Sequence, residues 1–151
     1  MLVEDLKLIF NKHLQQLRTE IERYHSEENI WRVDKNISNS AGNLCLHLIG
    51  NLNTYIGATL ANTGYVRNRP LEFSAKNIAK AELLQKIDDT IKVVETGLHT
   101  IAENQMHELY PIVIWEKPTS TAYTLIYLAT HLAYHLGQIN YHRRLLDVEG
   151  V

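Results

Sequence analysis

Residues 80–101, KAELLQKIDDTIKVVETGLHTI, carry apolar side chains at spacings of three and four. The repeating positions are Leu84, Ile87, Ile91, Val94, Leu98 and Ile101. This period fits an α-helix with one apolar face and does not fit the strict alternation of a strand. Such a helix must bury its apolar face against other elements. Because its neighbours are also helical, the segment predicts an all-α domain.

Three further stretches show the same helical period. The first runs from Val3 to Tyr24, and the second runs from Leu44 to the helix stop at 62–64, Asn-Thr-Gly. Ser38, Asn39 and Ser40 are each possible N-caps of the second helix. The last stretch begins near 118–120, Pro-Thr-Ser, and continues to about Leu145. Four helices of about 20 residues joined by loops predict a four-helix bundle, with residues 1–151 as a single domain.

Two connections interrupt the helical pattern. The first, from Tyr65 to about Ile78, is broken by Pro70. Its charged side chains include Arg67, Arg69 and Glu72. We expect the two arginines to be solvated loop charges rather than substrate clamps. The second connection is 108–115, ELYPIVIW. Its proline excludes a helix interior, and the β-branched run after it predicts a short extended segment before the last helix.

The composition excludes several classes of protein. The chain is 45% hydrophobic and 21% charged, with a formal net charge of −2. Its longest basic cluster, 142–144, is too short to indicate nucleic-acid binding. No apolar run is long enough to span a membrane. The single cysteine, Cys45, excludes an internal disulfide, and the first residues, MLVEDLK, lack the apolar stretch of a signal peptide. We therefore expect a cytoplasmic protein with no nucleic-acid or membrane partner.

Two of the eight histidines stand four residues apart in the last helix, as His131-Leu-Ala-Tyr-His135. Positions four apart differ by about 40° around a helix and about 6 Å along it, so both imidazoles leave the same face. They can therefore reach one metal ion. The glutamate that would follow the first histidine in a metalloprotease is replaced by Leu132.

His47 is the best candidate for a third ligand, because it lies within the apolar second helix. Cys45 lies about 200° around that helix from His47, so we exclude its thiol from the site. Three neutral imidazoles suit a divalent transition metal, such as zinc or nickel, better than magnesium or calcium.

Five polar residues near these histidines are candidates for supporting roles. Asn43 and Asn51 lie one turn before and after His47, and Gln138 lies one turn beyond His135. Their amides are placed to orient an imidazole or a bound water. His142, further along the same stripe, is a candidate mouth residue or proton carrier, or else a solvated side chain. Tyr127, one turn before His131, is a second candidate proton carrier. For all four tyrosines of this helix we expect packing within the bundle; they are Tyr123, Tyr127, Tyr134 and Tyr141.

The segment 42–53, GNLCLHLIGNLN, followed by His131-x-x-x-His135-x-x-Gln138, resembles the DinB-like superfamily. This superfamily contains damage-inducible four-helix metal proteins, among them bacillithiol S-transferases and mycothiol-dependent isomerases. The resemblance covers nearly the whole chain. It implies an up-down-down-up bundle in which His47, His131 and His135 bind a divalent metal with open positions for water, and it implies a homodimer.

The resemblance also implies a class of reaction. Characterised relatives transfer a low-molecular-weight thiol to an electrophile or use that thiol in an isomerisation. A metal with an open position can lower the pKa of a bound thiol or water. The expected function is therefore a metal-dependent thiol S-transferase acting on a small molecule. Two alternatives stay open: a metal-dependent hydrolase, and a non-catalytic metal-binding stress-response protein.

Overall fold

A computed structural model describes residues 1–148, and the regular secondary structure of that range is helical. The α-helices are α1 (Leu2–Glu22), α2 (Ala41–Leu52), α3 (Arg69–Ser74), α4 (Lys80–His99) and α5 (Thr121–Leu146). Two 3₁₀ helices, Glu27–Trp31 and Glu103–His107, lie in the connections, and a π-helical segment, Asn53–Ala58, continues α2. The described residues form no strand, only an isolated antiparallel bridge between Leu109 and Ser120. The predicted all-α class is confirmed.

The helices begin and end where local side chains satisfy the backbone. The Ser40 side chain accepts a hydrogen bond from the Asn43 amide at the start of α2, and Ser120 does the same for Tyr123 at the start of α5. Past the π-helical segment, Asn62 and Gly64 adopt positive φ angles of 50° and 72°. Residues in that region of φ end helices, so the predicted helix stop lies where the sequence placed it.

Four long helices contact one another in pairs around a common apolar core. α1 packs against α4 and α5, and α2 packs against the same two helices. The apolar face expected for the first helix is buried throughout, at Val3, Leu6, Phe10, Leu14, Leu17, Ile21 and Tyr24. In α4, Leu83 is buried while Leu84 and Ile91 lie at the core edge. The face of α4 is therefore rotated slightly from the one that the spacing alone predicted.

The connection between α2 and α4 contains a short helix, α3, that the sequence pattern did not predict. Pro70 lies in its first turn, where the missing backbone N–H has no helical partner to lose. The Asn43 side-chain amide donates to the carbonyl oxygens of Glu72 and Ala75, at 3.0 and 2.9 Å. These bonds tie α3 to the start of α2, against which it packs.

The connection before α5 is held by two backbone hydrogen bonds of the antiparallel type. The Tyr110 amide donates to the Thr119 carbonyl at 2.9 Å, and the Thr121 amide donates to the Glu108 carbonyl at 2.8 Å. The β-branched run 112–114 lies outside this bridge, so the expected extended segment is reduced to a single bridged position. Within residues 1–148, no helix combines the length and the apolar character needed to cross a membrane.

Candidate metal centre

The packing of α2 against α5 brings three histidines together. His47 comes from the middle of α2, and His131 and His135 come from adjacent turns of α5. The Nε2 atoms of His47 and His131 are 3.3 Å apart, and one ligand atom from each histidine lies within 4.8 Å of the others. The three residues singled out in the sequence therefore form one cluster with the geometry of a metal site.

Hydrogen bonds at the opposite ring nitrogens decide which nitrogens face the cluster. His47 Nδ1 lies 3.1 Å from Glu72 Oε1, and His135 Nδ1 lies 2.7 Å from Gln138 Oε1. Both partners are oxygen acceptors, so each Nδ1 carries the proton and donates it. In the neutral ring the Nε2 atom then has a free lone pair. Two of the three rings therefore present Nε2 lone pairs as ligand atoms.

The donor set fits a divalent transition metal. With metal–nitrogen bonds of about 2.0–2.1 Å, two ligands of a tetrahedral ion are about 3.3–3.4 Å apart, which matches the 3.3 Å between His47 and His131. His131 Nδ1 is buried without a hydrogen-bond partner in the described residues, so no acceptor fixes the tautomer of that ring. The cluster can hold a metal ion, and its imidazole ligands do not identify which ion.

Burial keeps two rings of the cluster in the neutral form that binds metals. Burial and, to a smaller extent, the neighbouring His135 and His47 together lower the pKa of His131 to about 4. The pKa of His47 is also lowered, mainly by burial, although the Glu72 carboxylate opposes the change. Both rings are therefore unprotonated at neutral pH and need lose no proton to bind an ion.

The connection supplies two residues to this site that the sequence did not assign to it. Arg67 donates from Nε to Glu72 Oε2 at 2.8 Å and from Nη2 to Glu72 Oε1 at 2.9 Å. Its side chain is only 14% exposed, and its guanidinium lies over the Tyr55 ring. The expectation of a solvated loop charge is therefore wrong for Arg67. Arg69 is exposed, as expected, with its guanidinium over the Phe73 ring.

The three amides expected near the imidazoles have different surroundings. Gln138 contacts His135, as the spacing indicated. Asn43 does not contact an imidazole, because its side chain bonds to Ser40 and to the backbone of α3. Asn51 is buried, and its side-chain oxygen has no hydrogen-bond partner among the described residues. Of the three, only Gln138 orients a ring of the cluster through a direct hydrogen bond.

His142 does not line the mouth of the site. It is 4% exposed, and both of its ring nitrogens have partners in the core. The Tyr24 hydroxyl lies 2.6 Å from Nδ1, and the Arg32 carbonyl lies 2.7 Å from Nε2. Because a carbonyl can only accept, Nε2 donates to Arg32 and Nδ1 accepts from Tyr24. These contacts hold α5 against the end of α1 and leave no ring nitrogen free to carry a proton to the cluster.

The tyrosines of α5 lie outside the core, contrary to the expected bundle packing. Tyr123, Tyr127, Tyr134 and Tyr141 are between 43% and 65% exposed. The Tyr127 ring packs against Trp115, with ring centroids 4.5 Å apart. Its position one turn before His131 is as expected, and its role as a proton carrier stays a prediction.

Cys45 is fully buried, and burial raises its pKa to about 12, so its side chain remains a thiol.

Comparison with known protein families adds one finding. The family model described as "Protein of unknown function (DUF1572)" matches residues 2–150. The chain belongs to the DUF1572 family. Comparison with curated proteins and with solved structures gave no match. The description of the DUF1572 family states no activity, so the chemistry of this member has to be argued from its site.

Removing either histidine of α5 should abolish stoichiometric metal binding by this DUF1572 protein. In His131→Ala or His135→Ala only two imidazoles remain, and two ligands rarely hold a transition metal tightly. The helices should persist, because packing between their apolar faces stabilises the fold. Elemental analysis of protein purified without an affinity tag measures the metal content, and circular dichroism measures the helicity. The exposed His107→Ala and the buried Cys45→Ala are controls that should keep the metal; one equivalent of metal in both α5 variants would contradict the assignment.

The metal-free protein should lose stability as pH falls, in part through His131. Its pKa is about 4 in the folded protein and about 6.5 in an unfolded chain. Between those values the unfolded chain binds more protons, so the free energy of unfolding decreases as pH drops from about 6.5 to about 4. His131→Gln removes this contribution. Urea unfolding between about pH 7 and about pH 5 should show a smaller decrease for the variant, and parallel curves would contradict the lowered pKa.

Proposed function

We propose that this DUF1572 protein is a DinB-like, metal-dependent enzyme that transfers a low-molecular-weight thiol to a small electrophile. The observation that carries the proposal is the cluster of His47, His131 and His135, in which His47 and His135 hold their protons on Nδ1 and leave Nε2 free for a metal. Three imidazoles leave one position of a tetrahedral ion free for a substrate. The sequence resemblance to DinB-like thiol transferases supports the choice of reaction.

We also propose that the long helices α1, α2, α4 and α5 form a bundle with up-down-down-up order. Support comes from their contacts, because α1 and α2 each pack against both α4 and α5. Such contacts place the helices around a shared core, with α1 opposite α2. In this arrangement the connection between α2 and α4, which includes α3, lies beside the metal site. A cytoplasmic location is part of the same proposal and is supported by the free thiol of Cys45.

The residues of the chain restrict where the nucleophile comes from. The only cysteine, Cys45, is fully buried with a raised pKa, so the reacting thiol has to come from solution. A divalent metal bound by neutral imidazoles supplies Lewis-acid chemistry that lowers the pKa of a coordinated thiol. His47 and His135 contribute by holding their protons on Nδ1, and Gln138 keeps the His135 ring in that orientation.

A thiol panel tests the reaction. We expect metal-loaded protein to accelerate alkylation of one of bacillithiol, mycothiol, glutathione or coenzyme A by a small electrophile. The acceleration should disappear in His135→Ala, because that variant lacks a metal ligand. Ester hydrolysis without any thiol would instead indicate the hydrolase. No turnover over the whole panel, with one equivalent of metal bound, would favour the non-catalytic stress-response protein and refute the proposed activity.

We further propose that the protein is a homodimer formed through the exposed face of α5. Tyr123, Tyr127, Tyr134 and Tyr141 lie on one side of that helix, and nothing lies within 4 Å of a Cβ placed on Gly137 beside them. Exposed aromatic side chains of this kind are enriched at protein interfaces. The resemblance to DinB-like proteins, which are frequently dimeric, supports a second copy as the partner.

Sedimentation at micromolar concentration should show a dimer for the unmodified chain. Tyr123→Glu and Tyr141→Glu should shift it toward monomer, because each places a charge within the proposed apolar contact. Tyr65→Glu, at a partly exposed tyrosine outside α5, is the control and should remain dimeric. If the unmodified protein is entirely monomeric, this proposal fails.

A further inference from the structure

The Glu72 carboxylate is placed between a ligand of the metal cluster and a buried cation. It is 6% exposed, and each of its oxygens has a partner. Oε1 accepts from His47 Nδ1 at 3.1 Å and from Arg67 Nη2 at 2.9 Å, and Oε2 accepts from Arg67 Nε at 2.8 Å. A carboxylate this deeply buried is costly unless its charge is compensated, and Arg67 compensates it through two parallel hydrogen bonds.

We propose that Glu72 is the positioning residue that fixes the tautomer of His47 and so makes its Nε2 atom available to a metal. Metal-bound histidines commonly donate their second ring N–H to a carboxylate, which orients the ring and increases its basicity as a ligand. The inference rests on the metal binding proposed above. It adds that the connection between α2 and α4, and not only the helices, builds the site.

Arg67 shows why the tautomer depends on Glu72. Its Nη2 atom lies 3.4 Å from His47 Nδ1 and is itself a donor. Without a carboxylate between them, Arg67 can donate to an unprotonated Nδ1, and the ring proton then moves to Nε2. A proton on Nε2 occupies the position that a metal requires. Glu72 accepts from both donors and thereby keeps the His47 proton on the side away from the cluster.

Gly50 leaves the space that this carboxylate occupies. A Cβ atom added at Gly50 would lie 1.9 Å from Glu72 Oε2 and 2.6 Å from its carboxyl carbon. Any larger residue at this position of α2 would therefore push the carboxylate away. Because the clashing atoms are the end of a flexible side chain, the glutamate can move while the helix persists. Glycine is otherwise less favourable than alanine inside a helix.

The backbone around Glu72 is also anchored to α2. The Asn43 side chain donates to the carbonyl oxygens of Glu72 and Ala75, as described above. Asn43 lies one turn before His47 on α2, and Gly50 lies about one turn after it. α2 therefore anchors the backbone of α3 one turn before the histidine and leaves room for the carboxylate about one turn after it, while Arg67 binds the carboxylate itself.

The tautomer of His47 can be measured in metal-free protein by long-range ¹H–¹⁵N spectra of ¹⁵N-labelled samples above pH 7. We expect His47 to be protonated on Nδ1 in the unmodified protein. In Glu72→Ala the proton should move toward Nε2, because Arg67 then faces Nδ1 directly. Glu20→Ala is the matched control. Its carboxylate is also buried, at 8% exposure, and pairs with Arg143 at 2.6 Å without contacting a histidine.

Cobalt(II) titration gives the second readout. Loss of a partner that orients a metal ligand typically costs 10–100-fold in metal affinity, and we expect a loss of about that size in Glu72→Ala. Gly50→Ala should show a similar direction of change, because it displaces the carboxylate while keeping the glutamate. Gly137→Ala, in the open space of α5, and Glu20→Ala should bind cobalt like the unmodified protein.

The two readouts separate this inference from the proposed metal binding. An Nδ1-protonated His47 that shifts only in Glu72→Ala supports the inference. His47 protonated on Nε2 in the unmodified protein, or a tautomer unaffected by Glu72→Ala, overturns it whether or not cobalt binds. A folded Glu72→Ala variant that keeps the full cobalt affinity also overturns it. Failure of the unmodified protein to bind cobalt or zinc refutes the metal site itself and, with it, the part of the inference that concerns metal binding.

Discussion

Three imidazoles held between α2 and α5 impose the constraint on which the surrounding structure depends. The Nε2 atoms of His47 and His131 lie 3.3 Å apart, so they need a proton or a cation between them, and burial makes a permanent positive charge on these two rings costly. The rings stay together because the helices that carry them are fixed by apolar contacts such as Leu48, Leu132 and Leu136. Hydrophobic packing thus holds polar groups in an arrangement that they would not adopt on their own.

A second buried carboxylate in the molecule is also compensated by an arginine and a further hydrogen-bond donor. Glu20 on α1 accepts from Arg143 and Asn140 on α5, as Glu72 accepts from Arg67 and His47. The first pair joins two helices that share the apolar core, and the second joins a connection to α2. The two carboxylates differ in their second donor, which is Asn140 for Glu20 and His47 for Glu72. Asn140 has no protonation states to choose between, whereas His47 has two, so only the second carboxylate decides a chemical property.

The helices, whose apolar residues recur with a regular period, were predictable from the sequence, and the connections, which have no such period, were not. Helical period located α1, α2, α4 and α5, and the four-residue spacing located His131 and His135 on one face. Glu72 and Arg67 lie in a connection without period, so the helical pattern could not distinguish them from solvated charges. The misplaced roles of His142 and the tyrosines share another cause. Angular position gives the face of a helix, but it does not show which neighbouring helix covers that face or how deeply.

His47 and His131 are separated by 84 positions in the chain, so the two parts of the site meet only when α2 packs against α5. During synthesis, His135 leaves the ribosome long after His47, because it lies in α5. Before that moment His47 can be desolvated and oriented, but it stands alone. The three-histidine site can therefore accept an ion only after translation has reached the last helix. Chains interrupted before α5 have no such site, which links metal acquisition to the synthesis of α5.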